Sequence, residues 1–276
     1  MMAEQQIKEL IGKVKKNKKY SSISEEIIKK EVENYFKINP KNVIYLDRPR
    51  SEKYNQIVKA VRAKLHLIHG SFKKDADKRE VYLKHIYGIN DYKNHDKILL
   101  TSVSSKERLK DYGELYKKIF SIAGKPKSIL DLGCGLNPVS YPYMGISHIT
   151  YYAYDIDKKD IDFLSRYFKF MGIKGKSKIA DLRDIKEIKK LPKADICFMF
   201  KLLDPLEQKG HKLSEEIIKA LKCRYIIVSF STKTISGKPM NHPYRGWIER
   251  MLERINLKFE KILTENEVYY VIKKQY

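Results

Sequence analysis

From Pro126 onwards the sequence alternates between short apolar runs and amphipathic segments, and this alternation restricts the fold more than any other feature. The amphipathic segments predict helices at 158–171, 213–221 and 242–256. The apolar runs are rich in β-branched and aromatic residues and predict strands at 128–132, 149–154, 176–180, 194–200, 224–230, 258–263 and 267–273. Strands that alternate with helices form a mostly parallel, doubly wound sheet, so we expect an α/β domain of Rossmann-like type with seven strands. The last two runs are close enough to form an antiparallel hairpin.

The residues before Pro126 follow a different pattern, in which apolar side chains recur at helical spacing. This spacing predicts helices at 3–16, 23–37, 51–70, 76–88 and 104–124. The helix at 51–70 has recognisable ends, because Ser51 is a favourable first residue and Gly70 a favourable last one. We therefore expect two domains, a helical one over residues 1–123 and a Rossmann-like one over residues 124–276.

The net charge of the chain indicates a polyanionic partner. The chain has 57 lysine and arginine residues against 34 aspartate and glutamate residues, a formal net charge of +23. Such a surplus creates a positive field that favours nucleic acid first and an acidic membrane surface second. Lysine bias from an AT-rich genome or a hot habitat is the alternative explanation. We favour the polyanion, because bias alone raises glutamate in step with lysine.

The cysteines and the apolar runs argue against several other classes of protein. Cys134, Cys197 and Cys223 are far apart and form no Cys-x-x-Cys pair, so we expect neither a disulfide framework nor a metal site. The first residues are polar and resemble no signal peptide. Runs such as ICFMF and YIIVSF are too short to cross a bilayer. We therefore expect a soluble, cytoplasmic protein that does not bind a membrane.

A glycine-rich turn follows the first predicted strand in the segment SILDLGCGLNPVSYP. Gly133 and Gly135 follow Asp131, but Pro138 stands where a dinucleotide-binding fingerprint has its third glycine. The turn therefore suits an amino-acid moiety better than a pyrophosphate. A plain strand-to-helix connection remains the alternative for this motif taken alone.

The next two predicted strands also end in acidic residues. Asp155 and Asp157 follow the second strand, and either one could accept hydrogen bonds from a ribose hydroxyl pair; we favour Asp155. Asp181 follows the third strand and could bind the exocyclic amine of adenine, with Leu182 beside the ring. Three strands that each end in an acid, after the glycine turn, are the layout of class I methyltransferases that use S-adenosylmethionine. The sequence thus predicts S-adenosylmethionine as the cofactor.

The methyl acceptor is indicated by basic residues that follow the fourth and fifth predicted strands. The fourth strand is not followed by the Asn-Pro-Pro-Tyr-type motif of many amino-methylating enzymes; Lys201 follows it instead and could contact an RNA phosphate or a base carbonyl. After the fifth strand, the segment STKTISGKPMNHPYRGW places Lys233, Lys238 and Arg245 among stackable rings. Such a loop suits an unstacked base, although an ordinary solvated loop would have a similar composition.

Four segments of the chain resemble the aminoglycoside-resistance 16S rRNA (guanine-N7) methyltransferases. The stretch from HDKILLTSVSSKERL to LDLGCGLNPVSYP is similar to the family's Ser-Thr-x-Glu-Arg segment and its glycine loop. VRAKLHLIHGSF, FKLLDPLEQ and SFSTKTISGK resemble further family segments in the same order. The resemblance implies that a helical domain, here 1–123, binds the small ribosomal subunit, and that a catalytic domain, here 124–276, methylates N7 of a decoding-site guanine in helix 44.

The resemblance also implies roles for individual residues. Arg108 would bind the methionine carboxylate of the cofactor, Phe200 would pack on it and Gln208 would close over it. Lys201 and Lys233 would position the target nucleotide, with no general base. The remaining implied contacts are to the cofactor from Gly133, Asp155, Asp181 and Leu182. Beside these implied roles, we expect the basic residues Arg62, Lys64, Lys238 and Arg245 to bind RNA.

Two departures from the family pattern leave alternatives open. Ser231 replaces the usual proline, and Lys233 replaces the usual arginine, in the loop after the fifth strand. The acceptor could therefore be another base or a tRNA, and the role could be housekeeping rather than resistance. A non-catalytic ribosome-binding factor with a relic cofactor fold is the second alternative. We expect a monomer that acts on 16S rRNA within the 30S subunit.

Overall fold

The computed structural model describes residues 4–68, 76–207, 210–234, 237–241 and 243–274, and it divides into two compact units. The first unit comprises residues up to 71 together with 156–159, and the second comprises the remainder. The division falls at a different place from the boundary at 123/124 that the sequence predicts. The reason lies in the helices between 79 and 123, whose apolar faces complete the core of the sheet unit.

The first unit is built from three amphipathic helices. Helix α1 spans Glu4–Lys15, α2 spans Glu25–Ile38 and α3 spans Glu52–Ile68, with short 3₁₀ segments at Lys18–Tyr20 and Pro40–Tyr45. Each helix buries one stripe of side chains, such as Leu10, Ile28 and Val61, which make up the core of this unit. The three helices agree with the predicted ones to within two residues at each end.

The second unit is organised around a seven-stranded sheet. Its strands are β1 Ser128–Leu132, β2 Thr150–Asp155, β3 Lys174–Ile179, β4 Ala194–Phe200, β5 Cys223–Ser231, β6 Lys258–Leu263 and β7 Glu267–Lys273. The strand order is β3-β2-β1-β4-β5-β7-β6. Strands β1 to β5 are parallel to one another, and β7 runs antiparallel to its two neighbours, β5 and β6. The seven predicted strands and the closing hairpin are confirmed.

Helices cover both faces of the sheet. Alternate residues of β4 show the division: Ile196, Phe198 and Phe200 pack into one hydrophobic cluster, whereas Cys197 and Met199 pack into the other. The first face carries α4 Arg79–Lys84, α5 Tyr92–Leu99, α7 Tyr112–Ala123 and α8 Lys158–Met171; the second carries α9 Ile185–Lys190, α10 Leu203–Leu206, α11 Lys212–Ala220 and α12 Gly246–Arg254. The short helix α6, Val103–Arg108, lies between α5 and α7 in the chain and buries Ser105 and Arg108. Further 3₁₀ segments span Ala76–Lys78 and Asn137–Met144.

Several predictions about the helices of this unit were wrong, and the helix predicted at 76–88 is a 3₁₀ turn at Ala76–Lys78 followed by α4, which ends at Lys84. The helix predicted at 104–124 is two helices, because α6 ends at Arg108 and α7 begins at Tyr112. Helices α5, α9 and α10 were not predicted; Asp91 begins α5 by accepting a hydrogen bond from the backbone N–H of Asn94. None of the described helices has the length and hydropathy that a bilayer-crossing helix needs.

Candidate functional site

The carboxyl ends of β1 and β4 lie side by side at the point where the strand order reverses. β1 pairs with β2 on one side and with β4 on the other, and the chain leaves the two central strands towards opposite edges of the sheet. In open α/β sheets, ligands bind in the crevice at this switch point. The predicted site residues after β1, β2 and β4 are therefore brought to one edge.

The glycine turn after β1 adopts a conformation that favours glycine. Gly133 has a φ of 61° and Gly135 a φ of 48°, both in the left-handed region. A Cβ atom on Gly133 would lie 2.5 Å from Cδ1 of Leu202, so a larger residue would clash with the Leu202 side chain. The backbone N–H of Gly135 donates to Oδ2 of Asp155 at 2.9 Å, which joins the turn to the end of β2.

Asp131, the last acid before the turn, is a buried carboxylate with one free oxygen. Its Oδ2 accepts hydrogen bonds from Nδ2 of Asn137 at 2.8 Å and from the hydroxyl of Tyr151 at 2.7 Å. Its Oδ1 is buried without a protein partner. Burial raises the pKa of Asp131 to about 6, against the lowering effect of these two hydrogen bonds. A ligand that brings a cationic donor would satisfy Oδ1.

The two acids after β2 have different surroundings. Asp155 is half-buried at the strand end and is bonded to the glycine turn. Asp157 is fully buried, accepts a hydrogen bond of 2.5 Å from the hydroxyl of Ser22 and forms a bridge with Ile23 within the first unit. Asp157 therefore has structural partners within the first unit, whereas Asp155 lies beside the glycine turn, and its contact with a ribose stays a prediction.

The acid after β3 is paired with a neighbouring arginine. Asp181 accepts hydrogen bonds from the Arg183 side chain at both carboxylate oxygens, at 2.9 Å each. Leu182 is buried in the hydrophobic cluster on the second face of the sheet. The contacts of Asp181 and Leu182 with an adenine ring stay predictions, as do the cofactor contact of the buried Phe200 and that of Gln208, which lies outside the described residues.

Arg108 lies at the centre of a buried network. Its Nε donates to Oε1 of Glu267 at 2.8 Å, its Nη1 donates to Oδ1 of Asn137 at 3.1 Å, and its guanidinium lies 5.1 Å from the centre of the Phe200 ring. Burial opposes the charge on Glu267, yet Arg108 and Lys201 beside it hold the pKa of its carboxyl below the ordinary value. The network fixes a cation next to the glycine turn, where an anionic group of a ligand would bind.

Lys201 belongs to the same network. Its Nζ contacts Oε1 of Glu267 at 3.1 Å and forms a second, short ion pair with Glu107. Its backbone has a φ of 54°, and its N–H donates to the backbone oxygen of Ser229 at 3.1 Å. A left-handed conformation in a residue other than glycine is strained, and such strain is frequent at functional sites.

Glu267 is the principal residue that sequence reasoning missed. It begins β7, its Oε2 accepts a hydrogen bond of 2.6 Å from the hydroxyl of Ser229, and its side chain is inaccessible to solvent. The sequence offered one signal, because Glu267 directly precedes the apolar run VYYVI. An acid in such a buried strand needs a buried cation as its partner. Asn137, which joins Asp131 to Arg108, had only its place in the LNP segment as a signal.

The basic residues after β5 occupy a loop that has its own internal pairs. Nζ of Lys233 contacts Oε1 of Glu265 at 2.7 Å, and Lys238 is exposed. Arg245 is mostly buried: it donates to Oδ2 of Asp204 at 2.9 Å and stacks at 5.6 Å from the Phe230 ring. Beside this loop lies a groove of about 650 Å³, lined by Thr234, Pro239, Met240, Asn241, Tyr244, Arg245, Gly246, Trp247 and Arg250.

The predicted RNA-binding residues of the first unit differ in environment. The Arg62 guanidinium donates to the backbone oxygens of Lys13 at 2.7 Å and Val14 at 3.1 Å, so it caps the end of α1. Lys64 is exposed. Among the described residues, no cluster of three His, Cys, Asp or Glu side chains could hold a metal ion.

The strand order, the glycine turn and the acids at the strand ends define a class I methyltransferase fold of the kind that binds S-adenosylmethionine. A family model described as "Ribosomal RNA methyltransferase (FmrO)" matches residues 53–271. Because this match covers most of the chain, the protein belongs to that family of ribosomal RNA methyltransferases, which confirms the resemblance found in the sequence.

Known proteins similar to the chain support this assignment. A 16S rRNA (guanine(1405)-N(7))-methyltransferase of Proteus mirabilis is 27% identical over 292 residues, with 96% of each chain covered. One of Micromonospora rosea with the same name is 28% identical over 228 residues, covering 79% of this chain and 82% of that one. The crystal structure of 16S rRNA methyltransferase RmtF in complex with S-adenosyl-L-homocysteine has a TM-score of 0.78 at 22% identity, over 99% of this chain and 100% of that one, and shares its fold.

Proposed function

We propose that this protein transfers the methyl group of S-adenosylmethionine to N7 of a decoding-site guanine in helix 44 of 16S rRNA. The observation that carries the proposal is the network in which Glu267 joins Arg108 to Lys201. It links the residue expected to hold the cofactor to the residue expected to contact the base. The named activity of relatives that match nearly the whole chain supports the same reaction.

The site offers groups of suitable chemistry for each part of the cofactor. The buried Arg108 would bind the methionine carboxylate, and the free Oδ1 of Asp131 would accept from the ammonium group. The glycine turn at Gly133 and Gly135 would approach the methionine part of the cofactor with its backbone, and Asp155, which is bonded to this turn, would bind the ribose hydroxyls. The bound cofactor supplies a methyl group on a positively charged sulfur.

The reaction requires alignment more than proton transfer. Guanine N7 has an in-plane lone pair and no proton that must leave, so the chain needs no general base. The base would be flipped out of its helix, at a cost of a few kcal/mol. Lys201 would contact the flipped base, and the groove beside Lys233, with the exposed ring of Tyr244, would stack neighbouring groups. Catalysis then comes mainly from positioning and electrostatics.

The partner in this proposal is the assembled 30S subunit, and the place of action is the cytoplasm. The three-helix unit would add phosphate contacts, since the chain has a net charge of +23. The protein would act as a monomer. Methylation at N7 places a positive charge on guanine, which would repel a cationic aminoglycoside, so expression would confer resistance if the modified position lies in the drug site.

The test is incubation of the purified protein with radiolabelled S-adenosylmethionine and, separately, 30S subunits, naked 16S rRNA and tRNA. Label that appears on 30S subunits and maps to helix 44 as 7-methylguanine is the expected result. Label on tRNA or at another atom would retain the methyltransferase and reject the acceptor. Cofactor binding without label on any RNA would instead favour a non-catalytic ribosome-binding factor.

A further inference from the structure

Two carboxylates contact Lys201, and they differ in accessibility. Glu267 is inaccessible to solvent and is also bonded to Arg108 and Ser229. Glu107 forms the second ion pair with Lys201, and 30% of its side chain is exposed. The inner carboxylate is therefore committed to the network, whereas the outer one is partly accessible to solvent.

The charges at this edge leave the outer carboxylate available for a substrate. Arg108 and Lys201 are both cationic, and Glu267 lies between them. Once an anionic group of the cofactor binds Arg108, Glu267 is sufficient to balance Lys201. Glu107 then has acceptor oxygens to offer a donor other than Lys201, at little electrostatic cost.

Glu107 is also held in place. Its backbone oxygen accepts a hydrogen bond of 3.2 Å from Nδ2 of Asn266, the residue directly before Glu267. It is the neighbour of Arg108 at the end of α6. A carboxylate fixed at its backbone, with a partly exposed side chain, is suited to reading a ligand because little order has to be created on binding.

The edge of guanine complements an ammonium group beside a carboxylate. Going around the base from N7, O6 accepts hydrogen bonds, and N1–H and the 2-amino group then donate them. We propose that Glu107 accepts from N1–H and the 2-amino group of the target guanine while Nζ of Lys201 donates to O6. Adenine would present a donor to Lys201 and an acceptor to Glu107, so the pair would reject it. This assignment rests on the proposed methylation of guanine N7 and adds the residue that selects guanine.

The test combines a change in the enzyme with a change in the base. 30S subunits are rebuilt from 16S rRNA in which the target guanosine is replaced by inosine, which lacks only the 2-amino group. For the unaltered enzyme, we expect kcat/KM to fall about tenfold on inosine, the loss of one hydrogen bond to a charged group. For Glu107→Ala, kcat/KM on guanosine falls at least as much, and inosine causes no further loss.

A binding measurement and a control variant distinguish a loss of base recognition from damage to the cofactor site or to the fold. Binding of S-adenosylmethionine to Glu107→Ala, measured by calorimetry, should stay within about threefold of the unaltered enzyme, which shows that the cofactor site is intact. Glu114→Gln, which alters an exposed Glu–Lys pair on α7, is the matched control and should behave like the unaltered enzyme. If inosine lowered kcat/KM equally for Glu107→Ala and for the unaltered enzyme, or lowered it for neither, the assignment would be overturned. Absence of 7-methylguanine on guanosine subunits would instead reject the proposed function itself.

Discussion

At the scale of single residues, Glu267 determines whether the two cations of the site remain in place. Glu267→Gln leaves Arg108 and Lys201 without the buried negative charge between them. Removing one partner of a buried ion pair costs about 3–5 kcal/mol. We expect the melting temperature to fall by on the order of 10 °C and the affinity for S-adenosylmethionine, measured by calorimetry well below it, to fall at least about tenfold.

The control for this variant is Glu260→Gln, an exposed glutamate on the neighbouring strand β6. It should leave both the melting temperature and the affinity unchanged. Equal melting temperatures for Glu267→Gln and the unaltered protein would show that the network does not stabilise the fold.

The acids Asp155 and Asp157 allow a paired test of the ribose contact. Asp155→Asn should weaken S-adenosylmethionine binding about 10–100-fold, because hydrogen bonds to a charged acceptor are lost. Asp157→Asn should leave that affinity unchanged and instead lower the stability of the fold, because it disturbs the buried contact with Ser22. Calorimetry and thermal unfolding of both variants measure the two effects. The reverse pattern would transfer the ribose contact to Asp157.

The buried Asp131 makes stability depend on pH. Its pKa is about 6 in the folded protein against 3.8 for an ordinary aspartate, so the folded state holds the proton more tightly. The stability that this gives is complete below pH 3.8 and is lost as the pH rises through 6. A shift of about two units corresponds to roughly 3 kcal/mol. Denaturant unfolding should therefore show Asp131→Asn gaining stability relative to the unaltered protein between pH 4 and pH 7.

The same variant should lose affinity for S-adenosylmethionine at neutral pH, since the free Oδ1 carries the charge that the ligand needs. A gain in stability together with a loss of binding would identify Asp131 as a group kept for function. A difference in stability that does not change with pH would show that the carboxyl is already ionised below pH 4.

At the scale of secondary-structure elements, the sequence predicts the sheet well because each strand has a local signal. The runs from β1 to β7 are bounded by turn residues, and the acids at the ends of β1 to β3 can be read directly. Glu267 could not be assigned in this way, because its partner Arg108 is 159 residues away. The break between α6 and α7 was missed for a related reason. It follows the buried Arg108, and a pattern of apolar residues gives no indication that an arginine is buried.

The loop after β5 is the element in which we expect acceptor binding to be separable from cofactor binding. Lys233→Ala removes a cation whose partner, Glu265, is half-exposed, so the fold should tolerate it. We expect KM for 30S subunits to rise about fivefold or more through the loss of a phosphate contact. The dissociation constant of S-adenosylmethionine should not change. Steady-state kinetics and calorimetry measure the two quantities.

Lys261→Ala is the matched control, because it removes a similar Lys–Glu pair between β6 and α12. It should leave both constants unchanged. If Lys233→Ala altered only the affinity for the cofactor, the loop would belong to the cofactor site and not to the RNA site.

At the scale of the whole molecule, the main property is a surplus of positive charge, which is already evident from the composition. The ion pairs within the structure do not cancel this surplus. Many glutamates and aspartates are already engaged, from the buried Arg79–Asp160 pair to the exposed Lys190–Glu187 pair. The acids are too few to pair with every cation, so the net charge of +23 remains on lysine and arginine side chains. Such a surface raises the rate and strength of association with a polyanion.

This surplus gives a quantitative expectation for binding to the 30S subunit. Each neutralised phosphate of duplex nucleic acid contributes about −0.9 to the slope of log affinity against log salt. A surface that makes 6–10 such contacts would lose affinity by about 10³–10⁵-fold between 50 and 200 mM salt. Filter binding or sedimentation across this range measures the slope, and the affinity for S-adenosylhomocysteine, in which no phosphate takes part, serves as the control. A shallow slope would mean that lysine bias, and not a polyanionic partner, explains the composition.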